Sequence, residues 1–302
     1  MQLQKGTRIV LRTEVPAAAG VFPAGTVAEV VLVQEDPPDS FRVRFVNGHE
    51  AVVQRSEFVL LAEMKSHDLA NLPSELSESH LREHVIYRCV VGSRAYGLDT
   101  PDSDTDYRGI YQAPTDLVLS LYDPPPQLEN DAAQECLWEL KKFLVLALKA
   151  NPNVLEVLYS PIVEVATPTA QALLRIRAAF LSKLVYQTFN GYVISQFKKM
   201  MRSKEVKQDP NWRHAMHLIR LLESGITILE TGELRLQTQH RDELLEIRSG
   251  DWPWERVDRW RQELHARFDD AYAATELPDR PDFHAVNEFL VRARRGELGG
   301  AS

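Results

Sequence analysis

Cysteine is scarce in this chain. Of its 302 residues only Cys89 and Cys136 carry thiols, and both sit in apolar stretches with strand character. No Cys/His spacing matches a zinc module, and a reducing compartment disfavours disulfides, so both thiols are expected to be free and buried. Long apolar runs are missing too: none reaches the ~18 residues that span a bilayer. The opening Met1-Gln2-Leu3-Gln4-Lys5-Gly6 lacks the charged-then-apolar layout of a secretion signal. The expectation is a cytoplasmic protein without membrane contact. Positive charge is also short, with a formal net charge of −8. That argues against broad nonspecific binding to DNA or RNA. It leaves room for a local basic groove, or for nucleotides whose phosphates are neutralised by metal ions. Internal repeats and extended low-complexity tracts are absent.

What remains is ordinary globular composition, 44% hydrophobic and 26% charged, long enough for about two domains. The pattern predicts an α+β chain. Residues 1–62 hold short β-rich runs, among them Arg8-Ile9-Val10-Leu11, residues 27–32 and residues 41–45. Turn signals at residues 23–25, 36–39 and Asn47-Gly48 separate them, the last a strong hairpin signal. This resembles a small SH3-like or KOW-like β-barrel. Arg42 and Arg44 fall on one face of their strand and, with Arg55, form a basic surface suited to a phosphate backbone or an acidic partner. Residues 63–84 read as a polar linker with one short helix. Residues 85–160 begin with the strand Val85 to Val91, followed by a weak strand near residues 116–121 and another around residues 134–138. From Glu139 onward helices dominate: one carries Leu140, Phe143, Leu144, Ala147 and Leu148 on a single face and ends at Asn151-Pro152. Others cover roughly 168–201, 211–231, 239–248, 253–274 and 282–295, so that residues 161–302 form a helical domain.

The informative stretch is Val90-Val91-Gly92-Ser93-Arg94-Ala95-Tyr96-Gly97, then Ser103-Asp104-Thr105-Asp106-Tyr107-Arg108-Gly109. Gly92 allows the backbone close approach to a ligand. Ser93 offers a hydroxyl and a backbone N–H at the start of a short helix, which suits a triphosphate. In an extended segment Asp104 and Asp106 point to one side. Two such carboxylates repel unless a cation lies between them, and Mg²⁺ (or Mn²⁺) bridges carboxylate to phosphate. Calcium is excluded: an EF-hand register on Asp102, Asp104 and Asp106 puts Tyr107 where glycine is required and Ala113 where glutamate is required.

In this order the motif resembles the Gly-Ser…Asp-X-Asp signature of the DNA polymerase β nucleotidyltransferase superfamily. It is most similar to a bacterial and phage group with Gly-Ser-Arg-Ala-Tyr-Gly…Ser-Asp-Thr-Asp…Arg-Gly, some of whose members are associated with RNA-repair ligases. The resemblance continues through Trp138 to Phe143, Ala150 to Glu156 and Trp212 to Leu222, and spans roughly residues 80–295. It implies a nucleotidyltransferase core at 85–160 and transfer of a nucleoside monophosphate from an NTP. The acceptor stays open: an RNA end, a protein hydroxyl or a small molecule. A noncatalytic nucleotide- or RNA-binding adaptor is the alternative. The superfamily uses a third carboxylate on a later strand. Of Asp131, Glu135 and Glu139, Glu135 is the choice, because it falls inside the strand. In this reading Arg94 and Arg108 flank the phosphates.

Other residues carry weaker signals. His214, His217 and Arg220 share a helical face and are candidate acceptor or phosphate contacts. Arg235 and His240 have the Arg-X4-His spacing of a helical ribonuclease motif. Lys198, Lys199, Arg202, Lys204 and Lys207 form a basic run that a nucleic acid could follow. Trp252, Trp254 and Trp260 are expected to pack the helices rather than stack bases.

Overall fold

The computed structural model describes residues 3–17, 20–34, 39–70, 77–207 and 211–298. The chain divides into two compact units, residues 1–73 and 74–302. Among the described residues no helix is long and apolar enough to cross a membrane.

In the first unit β1 (Arg8–Leu11), β2 (Val15–Ala17), β3 (Gly20–Phe22), β4 (Val27–Gln34), β5 (Ser40–Phe45), β6 (Glu50–Gln54) and β7 (Phe58–Leu60) precede α1 (Leu61–Ala70). Five of these strands form one sheet in the order β6-β5-β4-β1-β7, and β2 and β3 pair as a separate hairpin. The expected barrel is instead an open sheet, whose edge strands β6 and β7 are not paired with each other. Alternation along β5 buries Phe41, Val43 and Phe45 and exposes Arg42 and Arg44, as a half-covered strand requires. Arg44 is held by its cross-strand neighbour Glu50 at 2.8 Å, and Arg55 donates to the Phe58 carbonyl at 3.2 Å. Two of the three arginines are therefore already engaged. Turn residues 36–38, linker residues 71–76 and the side chains of Lys204 and Lys207 lie outside the described residues.

The second unit opens with α2 (Glu78–Arg82), β8 (Val85–Val91), the short α3 (Gly92–Ala95), β9 (Asp106–Tyr111) and α4 (Thr115–Val118). It continues with β10 (Gln127–Asn130), β11 (Glu135–Glu139), α5 (Leu140–Leu148), α6 (Pro152–Tyr159), β12 (Val163–Ala166) and α7 (Pro168–Arg175). The helices α8 (Leu184–Lys207), α9 (Trp212–Thr231), α10 (Arg241–Ser249), α11 (Trp254–Ala274) and α12 (Phe283–Arg294) complete it. The sheet order is β10-β11-β9-β8-β12. β8 and β9 are antiparallel, whereas β9 and β11 are parallel.

Three expectations need correction. The weak strand near residues 116–121 is the helix α4, started by Pro114. Asn151-Pro152 begins a helix rather than ending one, because the Asn151 side chain accepts from the Asn153 N–H and Pro152 fills the first turn. The helix expected over 168–201 is broken between α7 and α8.

Cys89, Ile110, Phe143, Leu144 and Leu155 share one core with the helices. Trp252 is buried there, with Trp254 and Trp260 packed against it, so these tryptophans pack the helices as expected. On the other sheet face Leu81, Tyr111, Leu128 and Leu137 form a smaller cluster. Gly109 lets the strands come together: a Cβ there would overlap the Tyr87 carbonyl oxygen and lie 2.8 Å from Leu137 Cδ2. Gly191, on the exposed side of α8, has open space around it. Gly109→Ala should therefore cost about 1–3 kcal/mol. Gly191→Ala should instead gain about 0.5–1 kcal/mol from helix propensity. Thermal unfolding of the two variants should show shifts of opposite sign, and a neutral Gly109→Ala would contradict the close strand approach.

Candidate active site

The Gly-Ser and Asp-X-Asp segments meet at one end of the β8–β9 ladder. Val91 pairs with Asp106, so the end of one strand lies beside the start of the next. Gly92 follows with φ of +69°, a left-handed conformation that side chains with a Cβ avoid. A Cβ on Gly92 would stand 2.8 Å from Asp106 Oδ2, so the carboxylate lies directly over the glycine. Asp106 is half-buried and Asp104 is exposed. Neither carboxylate has a protein hydrogen bond or ion pair among the described residues. Ser93 lies in the turn of α3, and the Leu98 N–H beyond that turn donates to the Ser93 carbonyl at 2.8 Å.

Arg94 does not stand free beside this site. It donates to the Ser103 carbonyl at 2.8 Å and lies 3.8 Å from Asp99, so it braces the loop that delivers Asp104. Arg108 shares the Asp106 face by strand alternation and donates to the carbonyls of Tyr107 at 2.7 Å and Gln134 at 3.1 Å. Arg241, at the start of α10, donates to the Gly97 carbonyl at 2.7 Å and holds the other end of the loop.

Glu135 is not brought to the aspartates. It is in register with Tyr107 on the parallel neighbour β9, and neighbours in register share a face. Asp106, one residue away, therefore faces oppositely. The Glu135 carboxylate is paired with Arg82 and, at 2.8 Å, with Arg88. Arg88 in turn lies over the Tyr107 ring at 3.8 Å. Among the described residues no group of three His, Cys, Asp or Glu side chains is placed to share a metal ion. The other two candidates do not replace it. Asp131 is exposed in a tight turn. Glu139 caps α5 through the Lys141 N–H and pairs with Arg294. On β11 the residue facing the same way as Arg108 is Cys136, a free half-buried thiol that burial holds above its ordinary range.

Position within the motif did not reveal the buried group behind it. Tyr96, Glu156 and Arg220 are 3%, 7% and 4% exposed. The Tyr96 hydroxyl donates to Glu156 at 2.6 Å, Arg220 donates to the same oxygen at 3.2 Å, and the Arg220 guanidinium covers the Tyr96 ring at 3.6 Å. Burial pushes the Tyr96 hydroxyl well up. Arg220 is thus a partner of Glu156 rather than a surface phosphate contact. Of its helical neighbours, His214 lies 2.8 Å from Gln196. The His217 imidazole is pushed down to about 3, by burial first and by Arg220, His214 and Arg213 after it. A neutral His217 is a poor anion contact. The sequence did hold one signal for the buried group, since Tyr96, Glu156 and Arg220 all lie in its distinctive stretches.

A family model described as the RNA repair pathway DNA polymerase beta family matches residues 64–292. The uncharacterized protein YcgL of Bacillus subtilis is 33% identical over 128 residues, which is 41% of this chain and 49% of that protein. The uncharacterized protein MJ0002 of Methanocaldococcus jannaschii is 27% identical over 156 residues, 50% of this chain and 62% of that protein. The matches thus span about half to three-fifths of these curated relatives. A solved nucleotidyltransferase-like protein from Exiguobacterium sibiricum aligns over 78% of this chain and 79% of that one at 12% identity. Its TM-score of 0.24 is too low to carry an argument.

The Glu135 pairing predicts that Glu135→Gln acts on stability. Losing a charged acceptor shared by two arginines should cost about 2 kcal/mol, or roughly 4–8 °C in Tm, with Mg²⁺–NTP affinity unchanged. Calorimetric unfolding alongside nucleotide titration checks this. A variant of wild-type Tm with weakened Mg²⁺–NTP binding would return Glu135 to the metal.

Proposed function

Since the chain belongs to the RNA repair pathway DNA polymerase beta family, we propose that it transfers a nucleoside monophosphate from an NTP to an acceptor hydroxyl or phosphate, an RNA end being the favoured acceptor. The observation that carries this reading is the meeting of Gly92 with Asp106, beside an Asp104 that likewise lacks a protein partner among the described residues. Two carboxylates two residues apart, with no cation from the protein paired to either among the described residues, suit Mg²⁺ or Mn²⁺, which binds one or two carboxylates and completes its shell with water and substrate phosphates. Asp104 and Asp106 would hold the ion, so two carboxylates suffice for this role. When bound there, the metal would neutralise charge on the triphosphate and act as a Lewis acid on a phosphoryl oxygen.

The chain's own residues do the rest. Gly92 gives the triphosphate room to reach the backbone, and Ser93 offers its hydroxyl and N–H. Arg108, on the Asp106 face, would add positive charge toward the phosphates. Arg94 positions the aspartate loop through Ser103. The acceptor oxygen bonds to the α-phosphorus, a hydroxyl acceptor giving up its proton to solvent, as the bond to pyrophosphate breaks, and pyrophosphate leaves. We assign the nucleotidyltransferase core to residues 85–160 together with α2 and the sheet strand β12 (Val163–Ala166), and the helices that follow to a helical domain, with the protein acting in the cytoplasm. The expected linker at 63–84 instead carries α1 and α2, and Leu81 and Arg82 of α2 belong to the core. The N-terminal sheet we read as an SH3-like module that recruits the acceptor. Its support is the strand order with β7 beside β1 and a tight helical turn at Arg55–Glu57 before β7.

One observation favours a second reading, a noncatalytic nucleotide-binding adaptor: Glu135 supplies no third carboxylate. One experiment separates the two. Incubation with α-labelled NTP, Mg²⁺ or Mn²⁺ and RNA ends should label RNA in the wild type. Asp104→Asn with Asp106→Asn should abolish both labelling and Mg²⁺–NTP binding at undiminished Tm, because removing like charges relieves repulsion. Mg²⁺–NTP binding without transfer to RNA, protein or small acceptors would establish the adaptor, and unchanged Mg²⁺–NTP affinity in the double variant would sink the assignment of the aspartates.

A further inference from the structure

The start of α10 runs against the ordinary rules of a helix N-terminus. Its cap residue His240 makes no side-chain bond to the first turn, where a short polar side chain would accept from a free N–H. The first helical residue is Arg241, although the macrodipole puts partial positive charge there and favours carboxylates such as Asp242 and Glu243. Both side chains are used elsewhere. His240 Nδ1 lies 2.7 Å from Glu223 Oε1 of α9, and Thr238 donates to Glu223 Oε2 at 3.2 Å, so the start of α10 is pinned to α9. Arg241 Nε donates to the Gly97 carbonyl at 2.7 Å, while its Nη2 lies 3.5 Å from the Asp99 carbonyl and its Nη1 3.5 Å from Asp242. Arg235, the other half of the Arg-X4-His spacing, lies 3.9 Å from Glu233.

The loop that Arg241 grips is bonded to itself and ends at Asp104. The Leu98 N–H donates to the Ser93 carbonyl at 2.8 Å. The Thr100 N–H donates to Ser103 Oγ at 2.9 Å, and the Ser103 N–H returns to the Thr100 carbonyl at 2.9 Å. Arg94 donates to the Ser103 carbonyl and lies 3.8 Å from Asp99. A loop tied in this way shifts as one piece and carries Asp104 with it. Leu98 is fully buried and fixes its base. Pro101, Asp102 and Asp104 on its outer side are exposed, so little packing restrains them. A bond that holds Gly97 and Asp99 therefore restrains where Asp104 stands. Two consecutive residues that serve their own helix poorly, and a candidate site well, are the mark of a positional requirement.

We propose that Arg241 is a positioning residue for the aspartate site. From the helical layer it holds Gly97 and Asp99, and through them it sets Asp104 beside Asp106. It acts through the loop and not on nucleotide or metal. Its effect on metal binding rests on the nucleotidyltransferase reading, whereas its hold on the loop does not. The Arg241 side chain is half exposed, while Leu244 and Ile247 carry the buried face of α10, so replacing Arg241 leaves the helix packing in place.

The test is amide hydrogen exchange of the full chain without metal or nucleotide, beside calorimetric titration with Mn²⁺ and each of the four NTPs. In Arg241→Ala the amides of Leu98, Thr100 and Ser103 should exchange about tenfold faster, the factor for one lost charge-assisted hydrogen bond. The Tm should stay within about 2 °C of wild type. Affinity for Mn²⁺–NTP should fall about fivefold or more. Arg241→Lys, which keeps a cationic donor, should recover most of both losses. Wild-type exchange of the loop in Arg241→Ala, a loosened loop with unchanged Mn²⁺–NTP affinity, or a Lys variant that behaves as the Ala variant does would overturn the proposal. So would a fall in Tm with faster exchange throughout residues 74–302, which marks a purely structural role. A wild type that binds no Mn²⁺–NTP would sink the metal reading instead, and the exchange rates alone then decide whether Arg241 holds the loop.

Discussion

The pairing of Val91 with Asp106 is the constraint on which the site depends. It brings the Gly-Ser turn at the end of β8 against the carboxylate at the start of β9. A Cβ at position 92 would displace the Asp106 carboxylate, because its oxygen occupies the space that a side chain there would need. The left-handed φ of Gly92 turns the chain away at the same point. Everything that keeps β8 and β9 in register therefore keeps the site: the close approach at Gly109, the core of Cys89, Ile110 and Leu155 on one face, and Tyr111 with Leu137 on the other.

The helices hold this strand end from behind. Glu156 on α6 and Arg220 on α9 converge on Tyr96. The next residue, Gly97, is held through its carbonyl by Arg241 of α10. The segment that follows the Gly-Ser turn is therefore clamped at two consecutive positions before the aspartate loop begins. A buried ion pair such as Glu156 with Arg220 is costly to break, about 3–5 kcal/mol when one partner is removed. It ties the sheet to the helical layer.

Much of this was legible in the sequence because it is local. Strand, glycine turn and paired aspartates lie within a short stretch, and the order of residue types carries the geometry. The α+β organisation followed from alternation giving way to helical periodicity after Glu139. The third carboxylate was not legible, because its role depends on which face of β11 points toward Asp106. A one-residue change of register reverses that face, and the sequence around Glu135 contains no sign of its pairing with Arg82 and Arg88, which come from α2 and β8. Barrel closure failed for a similar reason: strand content is local, whereas the pairing of edge strands is not. The Glu223–His240 pair joins residues 17 apart across the end of α9, and Arg-X4-His spacing alone could not point to Glu223.

The most direct test of a metal site at the aspartates is a crystal structure of the full chain with Mn²⁺ and a nonhydrolysable NTP analogue, read by anomalous scattering. The expected result is a manganese peak within bonding distance of carboxylate oxygens of both Asp104 and Asp106, the triphosphate against Gly92 and Ser93, and Glu135 still paired with Arg82 and Arg88. A peak coordinated by Glu135, or a triphosphate bound away from Gly92, would contradict it.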